Sequence, residues 1–172
     1  MTETPSPLTG PFRTPRLDAV PLGVGHAEEM AVVLSDPALH TFIGGGPSSP
    51  EALRLRYERL VAGSPDPAVS WCNWVLRRRE DSRLVGTVQA TVTGPDAEIA
   101  WVVGTPWQGR GYASEAARGL VALLGRHASV STVTAHIHPD HAASAAVARA
   151  AGLTPTDEEH EGERRWRLVL PR

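Results

Sequence analysis

A chain of 172 residues, 41% hydrophobic and 21% charged, has the size of one domain and enough apolar sequence to bury a core. Its formal charge of −2 excludes the strongly basic balance of a protein whose main partner is nucleic acid. Its apolar runs fall short of the roughly 20 residues of a membrane helix, and one cysteine, Cys72, leaves no internal disulfide to form, as in a reducing cytoplasm.

The opening MTETPSPLTGPF has no cationic start before an apolar run, so no secretory signal is expected there. Its Pro, Thr and Ser content predicts a flexible leader over residues 1–12, with a single domain over residues 13–172. RLDAVPL (16–22) reads as a first strand. HAEEMAVVLSD (26–36) sets Ala27, Met30, Ala31 and Leu34 at helical spacing, and Asp36-Pro37 stops the helix. A glycine loop, Thr41 to Ser49, leads to a second helix with an apolar stripe of Leu53, Tyr57, Leu60 and Val61. Its start, Ser48-Ser49-Pro50-Glu51, reads either as a capping box or as Ser49 with Pro50 at the first helical position.

WCNWVLRRR (71–79) and RLVGTVQATVT (83–93) form a predicted hairpin across Glu80-Asp81-Ser82, followed by a strand in AEIAWVVG (97–104). The next helix carries Ala113, Ala116, Ala117, Leu120, Val121 and Leu124 on one stripe, with Glu115, Arg118 and Arg126 off it. TVTAHIH (132–138) alternates as a strand, AASAAVARAAG (142–152) is a short helix, and ERRWRLVL (163–170) is a final strand. Most of DEEHEGE (157–163) is expected to be a solvated turn around Glu161-Gly162. The sum is an α/β (α+β) fold built on a mixed sheet, with a glycine loop at the carboxyl end of a central strand.

That loop, in TPWQGRGYASEA (105–116), carries the chemistry. The first amides of a helix lack internal partners, and the helix dipole adds partial positive charge there. Gly109 and Gly111 allow unusual torsions and remove the Cβ atoms that would hold an anion away, while Ala113 and Ser114 keep the first turn small. All 17 basic residues are arginine, so a Walker-type loop, which needs lysine, is excluded. A dinucleotide fingerprint fits poorly, because no carboxylate lies in 129–138. A Q/R-x-x-G-x-G/A loop that cradles the diphosphate of coenzyme A fits Gln108-Gly109-Arg110-Gly111-Tyr112-Ala113 at every specified position.

EIAWVVGTPWQGRGYASEAARGLVALL resembles the acyl-CoA-binding core of the GNAT superfamily of N-acetyltransferases, and AHIHPDHAASAAVARAAGL resembles the segment that follows it. TPRLDAVPL together with FIGGGPSSPEAL is similar to the Rim-type branch, named for enzymes that acetylate ribosomal-protein N-termini. The likeness runs from about Thr14 to Leu170. It implies a mostly antiparallel central sheet with a splayed pair of central strands and helices on both faces. The strand Glu98 to Val103 would part from Thr132 to His138, and Trp101, Val102 and Val103 would hydrogen-bond a pantetheine arm through their backbones. Coenzyme A would rest on Gln108, Gly109, Arg110, Gly111, Tyr112, Ala113 and Ser114, with His141 and Ser144 contacting the arm. His141 replaces the family's Asn, Leu153 its Phe, and Ala148 stands where many relatives place a tyrosine acid.

By the same resemblance, Glu98 is the expected base for an attacking amine, Val103 N–H the oxyanion donor, and Ser144 the group that meets the departing thiolate. Glu163 is the alternative base. The chain is thus expected to be a cytoplasmic, acetyl-CoA-dependent N-acetyltransferase acting on a primary amine by direct attack in a ternary complex. The acceptor is a protein N-terminus or a small molecule, and the loop Thr41 to Ser49 would gate it. No metal, nucleic acid or membrane partner is expected; a homodimer follows from the resemblance alone. The rival from another class is a catalytically silent acyl-CoA-binding sensor or interaction module. Cys72 lacks a partnering base, His136, His138 and His141 lack a completing ligand for a metal, and Trp71, Trp74 and Trp107 read as packing. Arg77-Arg78-Arg79 with Arg83 reads as a solvated charge cluster.

Overall fold

The computed structural model describes residues 7–43 and 45–171. Among them, eight strands form one sheet: β1 Phe12–Arg13, β2 Leu17–Pro21, β3 Val69–Arg78, β4 Leu84–Thr93, β5 Asp96–Val103, β6 Thr132–Ile137, β7 Thr154–His160 and β8 Glu163–Val169. They lie in the order β1-β2-β3-β4-β5-β6-β8-β7. Every neighbouring pair is antiparallel except β5 and β6, which run parallel because helix α4 Tyr112–Gly125 carries the chain back between them. The other helices are α1 Ala27–Val33, α2 His40–Ile43, α3 Pro50–Ala62 and α5 Ala142–Ala150.

Alternation along the β3–β4 hairpin sends Trp74, Leu76, Val88 and Ala90 to the face on which α4 packs with Leu120 and Leu124, while α5 adds Val147 to the same core beside β6. The opposite face carries Val75 and Leu84 under Met30, Leu53 and Tyr57 of α1 and α3. Of these two helices α1 reaches across to β4, and the far half of that face is bare, where Thr91, Glu98, Thr134 and His136 line a cleft. Helices therefore stand on both faces, as the resemblance implies. The start of α3 resolves in favour of Ser49 and Pro50: the Ser49 hydroxyl accepts the Ala52 N–H at 3.1 Å, and Pro50 opens the helix.

Five local expectations differ from the structure. The leader was expected to stay loose up to Phe12, but Leu8 and Phe12 are buried, and Phe12 packs edge-on against Trp74 at 5.5 Å. The indole N–H of Trp74 donates to Gly10 O at 2.9 Å, so one large core aromatic draws residues 8–12 onto the sheet. Most of the segment 157–163 was expected to be turn, but residues 157–160 belong to strand β7 and Glu163 opens β8, with the tight turn only at Glu161-Gly162 (φ 51° and 82°). A strand this polar, at the sheet edge with no buried face, has no alternation to read. The glycine loop begins later than Thr41, since Thr41 to Ile43 belong to α2; Gly44 lies outside the described residues.

Glu115 is the fourth. It is 7% exposed, not off the buried stripe, because its carboxylate accepts the Thr14 hydroxyl, the Arg16 N–H (2.9 Å) and the Arg16 Nε–H (2.8 Å). Arg79 clamps the same stretch by donating to the carbonyls of Thr14, Pro15 and Leu17, so it too is more than a solvated charge. Arg78 grips Asp81 across the hairpin turn and holds that carboxyl down to about 2.

Between β5 and β6 the pairing is short. Asp96, Ala97 and Glu98 pair with Thr132, Val133 and Thr134, and nothing beyond. Past that point β5 continues to Val103 along β4 only, and β6 continues to Ile137 along β8 only.

Candidate active site

The loop after β5 is shaped by its glycines. Gly109 has φ 75° and Gly111 has φ 83°, a left-handed conformation that side-chain-bearing residues rarely adopt. Gly111 is the N-cap of α4, and no side chain caps the helix there. The amides of Tyr112, Ala113 and Ser114 thus precede the first intrahelical bond, Glu115 N–H to Gly111 O. A Cβ on Gly109 would meet nothing within 4 Å, so this side of the loop is open. The Gln108 amide braces the turn by donating to Val103 O at 2.9 Å. Arg110 is exposed, whereas the ring of Tyr112 is buried in the core, leaving its backbone to face the loop.

Arg16, which sequence reasoning missed, stands over this loop. Its guanidinium lies 4.3 Å from the centroid of the Tyr112 ring, is held at Nε by Glu115, and brings Nη2 to 3.3 Å from the position of a Gly111 Cβ. Burial alone would raise the Glu115 carboxyl, but the bonds from Thr14 and Arg16 hold it below the usual carboxylate range. No sequence signal pointed to it, because its partner Glu115 lies 99 residues further along the chain and was spaced off the buried stripe.

The gap between β5 and β6 opens beside the loop. Gly104 N–H donates to Val85 O at 2.8 Å, so alternation turns the main chain of Val102 towards β4 and those of Trp101 and Val103 towards the gap. Of the three backbones expected to meet a ligand arm, two face the opening and one is committed to the ladder.

The far wall of the gap leads into α5. His141 is the N-cap of that helix, and its Nδ1 accepts the Ser144 N–H at 3.3 Å. Burial, with a smaller push from His138, lowers the His141 pKa, which keeps the ring neutral and able to accept. Ser144 is half-buried on the first turn. Phe42 of α2 stacks on the His141 ring at 4.3 Å and tilts against His138 at 5.2 Å, bringing α2 onto the end of β6.

On the bare sheet face at the apex of the gap, a cleft of about 360 Å³ is lined by Thr91, Glu98, Thr134, His136, Glu158 and Arg165, among others. Glu98 and His136 meet across the two strands, Oε1 to Nδ1, at 2.8 Å. His136 lies two residues beyond Thr134, the last β6 residue paired with β5, so the contact spans the point where the strands part. Sequence reading considered His136 only as a metal ligand. Glu163 pairs with His160 in the β7–β8 hairpin and is not among the cleft residues. Cys72 is buried, and burial pushes its thiol up. Among the described residues no group of three His, Cys, Asp or Glu could hold a metal, and no helix is long and apolar enough to cross a membrane.

Residues 16–154 match the family model described as the acetyltransferase (GNAT) domain. No protein with a curated description matches the sequence. Among solved structures, an acetyltransferase of the GNAT family from Bacillus anthracis is similar with a TM-score of 0.78 at 18% identity, over 92% of this chain and 98% of that one. The RimL ribosomal L7/L12 alpha-N-protein acetyltransferase in complex with coenzyme A is similar at 0.78 and 16%, over 93% and 98%. Spermidine N-acetyltransferase from Vibrio cholerae, in complex with CoA and spermine, is similar at 0.72 and 13%, over 90% and 96%. At these identities the solved structures speak to the fold. The family match covers most of the chain, on a splayed sheet that ends in an open glycine loop: the chain belongs to the GNAT acetyltransferase family and is an acyl-CoA-dependent acetyltransferase.

Proposed function

We propose that the protein moves the acetyl group of acetyl-CoA to a primary amine, a protein N-terminus or a small molecule, by direct attack in a ternary complex. The observation that carries this reading is the parting of β5 from β6 immediately beside the uncapped, glycine-bearing start of α4. The residues fit coenzyme A: an open surface at Gly109 and free amides at Tyr112 to Ser114 suit a diphosphate, and Trp101 and Val103 offer main-chain partners to a pantetheine arm. Arg110 and Arg16 add positive charge beside the loop, while Gln108 acts by fixing its shape. When bound, acetyl-CoA supplies the thioester carbonyl and a thiolate leaving group.

The chain's own groups then have distinct tasks. The Val103 N–H, turned into the gap, is placed to receive the oxyanion. His141 holds the first turn of α5 in place, so that Ser144 is positioned to meet the leaving sulfur. Glu98 stands at the apex of the gap on the cleft side, where an amine approaching the thioester must give up its proton. An acceptor lying in this cleft would meet mainly polar and charged side chains, which suits a charged amine. The relatives named for an alpha-N-protein and for spermidine bracket the acceptor classes to try. We place the reaction in the cytoplasm.

Thiol release from acetyl-CoA, measured against N-terminal peptides and small primary amines, tests the reading. Turnover with at least one acceptor is expected. Binding of coenzyme A in calorimetry with no turnover on any acceptor would instead favour a silent acyl-CoA-binding module, and no binding at all would remove the site.

A further inference from the structure

We propose that His136 is the proton acceptor of the reaction, with Glu98 as the carboxylate that orients it. The inference rests on the acetyl-transfer reading and reassigns the base expected at Glu98. Glu98 Oε1 lies 2.8 Å from His136 Nδ1, and an ionised carboxylate can only accept a hydrogen bond. The proton of a neutral imidazole therefore sits on Nδ1, and the lone pair sits on Nε2. That arrangement, a carboxylate fixing the tautomer and stabilising the imidazolium that forms, is what makes histidine an effective base in acyl transfer. Both groups line the cleft, and they meet where β5 and β6 stop pairing.

The surroundings of His136 carry charges of both signs. Arg165, opposite His136 on β8, is engaged by Glu158, which offsets its repulsion of an imidazolium. His160 of β7 packs edge-on, with ring centroids 6.1 Å apart, and Asp96 and Glu159 complete the titratable groups of the cleft. Glu98 and His136 differ in exposure, with side chains 53% and 23% exposed, so the imidazole is the more shielded member. In the step itself, Nε2 takes one proton from the ammonium, and the freed amine attacks the carbonyl carbon. The C–N bond forms, the C–S bond breaks, a second nitrogen proton passes to the thiolate, and the imidazolium returns its proton to solvent.

The test compares the wild-type protein with His136→Gln, His136→Ala and Glu98→Gln. With the amine turned over fastest, His136→Gln is expected to lower kcat by about 100-fold or more and to abolish the acidic limb of kcat/KM against pH, with the KM for acetyl-CoA little changed. Glu98→Gln should keep that limb while lowering kcat, since the imidazole remains but loses the carboxylate that fixes its tautomer. A wild-type limb in both histidine variants, with the limb lost only in Glu98→Gln, would overturn the assignment and return the role to the carboxylate. A second readout is independent of turnover: the ring nitrogen resonances of neutral His136 in NMR should report the Nδ1–H tautomer in the wild-type protein and a loss of that preference in Glu98→Gln. An Nε2–H tautomer in the wild-type protein refutes the pairing even if the enzyme is active. Absent turnover in the wild-type protein would instead strike the acetyl-transfer reading itself.

Discussion

Replacing Glu115 with glutamine should weaken the fold by about 2–3 kcal/mol at neutral pH, a figure that follows from its bonding. The carboxylate receives the Thr14 hydroxyl and the Arg16 N–H on one oxygen and the Arg16 Nε–H on the other. Hydrogen bonds to a charged group are worth about 1.5–3 kcal/mol each and are not additive. A glutamine can keep one oxygen as an acceptor, but its amide nitrogen must then face a donor from Arg16 or Thr14, leaving one or two of the three bonds unmade. For a chain of this size, each kcal/mol corresponds to about 2–4 °C in Tm.

The pH dependence fixes the mechanism. Because the folded carboxyl lies below its unfolded value, its stabilisation is complete above about pH 4.3 and is lost as pH falls through the folded pKa. Urea unfolding of both proteins should show the full gap at pH 7 and convergence in acid. A gap of the same size in strong acid, or no gap at pH 7, would refute the reasoning.

Two further substitutions probe the ligand loop and the sheet. Gly109→Ala places a Cβ in open space at φ 75°, so the apo fold should lose only about 1–2 kcal/mol, while coenzyme A affinity in calorimetry should fall by at least about tenfold; unchanged affinity would move the diphosphate elsewhere. Gly86→Ala sets a Cβ 2.1 Å from Val102 O and 3.0 Å from Val103 Cα, backbone atoms that cannot step aside; a loss of about 3 kcal/mol is expected in thermal unfolding, and an unshifted Tm would show that β4 and β5 are less tightly registered than described.

How much of this was legible in the sequence depended on whether a residue acts through its spacing or through its fold-borne neighbours. The central hairpin and the helix after the glycine loop announce themselves through alternation, periodicity and Gly109-x-Gly111, because main-chain geometry is local, whereas the parting of β5 from β6 was expected from the family resemblance alone. Strand β7 did not, since an edge strand of polar residues owes its form to pairing with β8 rather than to an apolar face. Glu115 looked exposed because its burial depends on Thr14 and Arg16, about 100 residues earlier. His136 looked like one of three scattered histidines until the β5–β6 register set it diagonally across from Glu98. His141 stood where the family pattern has Asn, and the structure shows that imidazole capping a helix through a neutral nitrogen.

The brevity of the β5–β6 junction gives the protein two leaves, five strands on one side and three on the other, stitched by a few main-chain rungs and by the packing of α4 against α5. Such a seam is the natural place for partial opening, because parting it breaks fewer ladder bonds than separating any of the long antiparallel neighbours. A molecule laid along the seam would act as the missing rungs, so occupancy and rigidity would rise together. Amide exchange at Trp101 and Val103 would then slow on saturation while the β3–β4 hairpin stayed as it was.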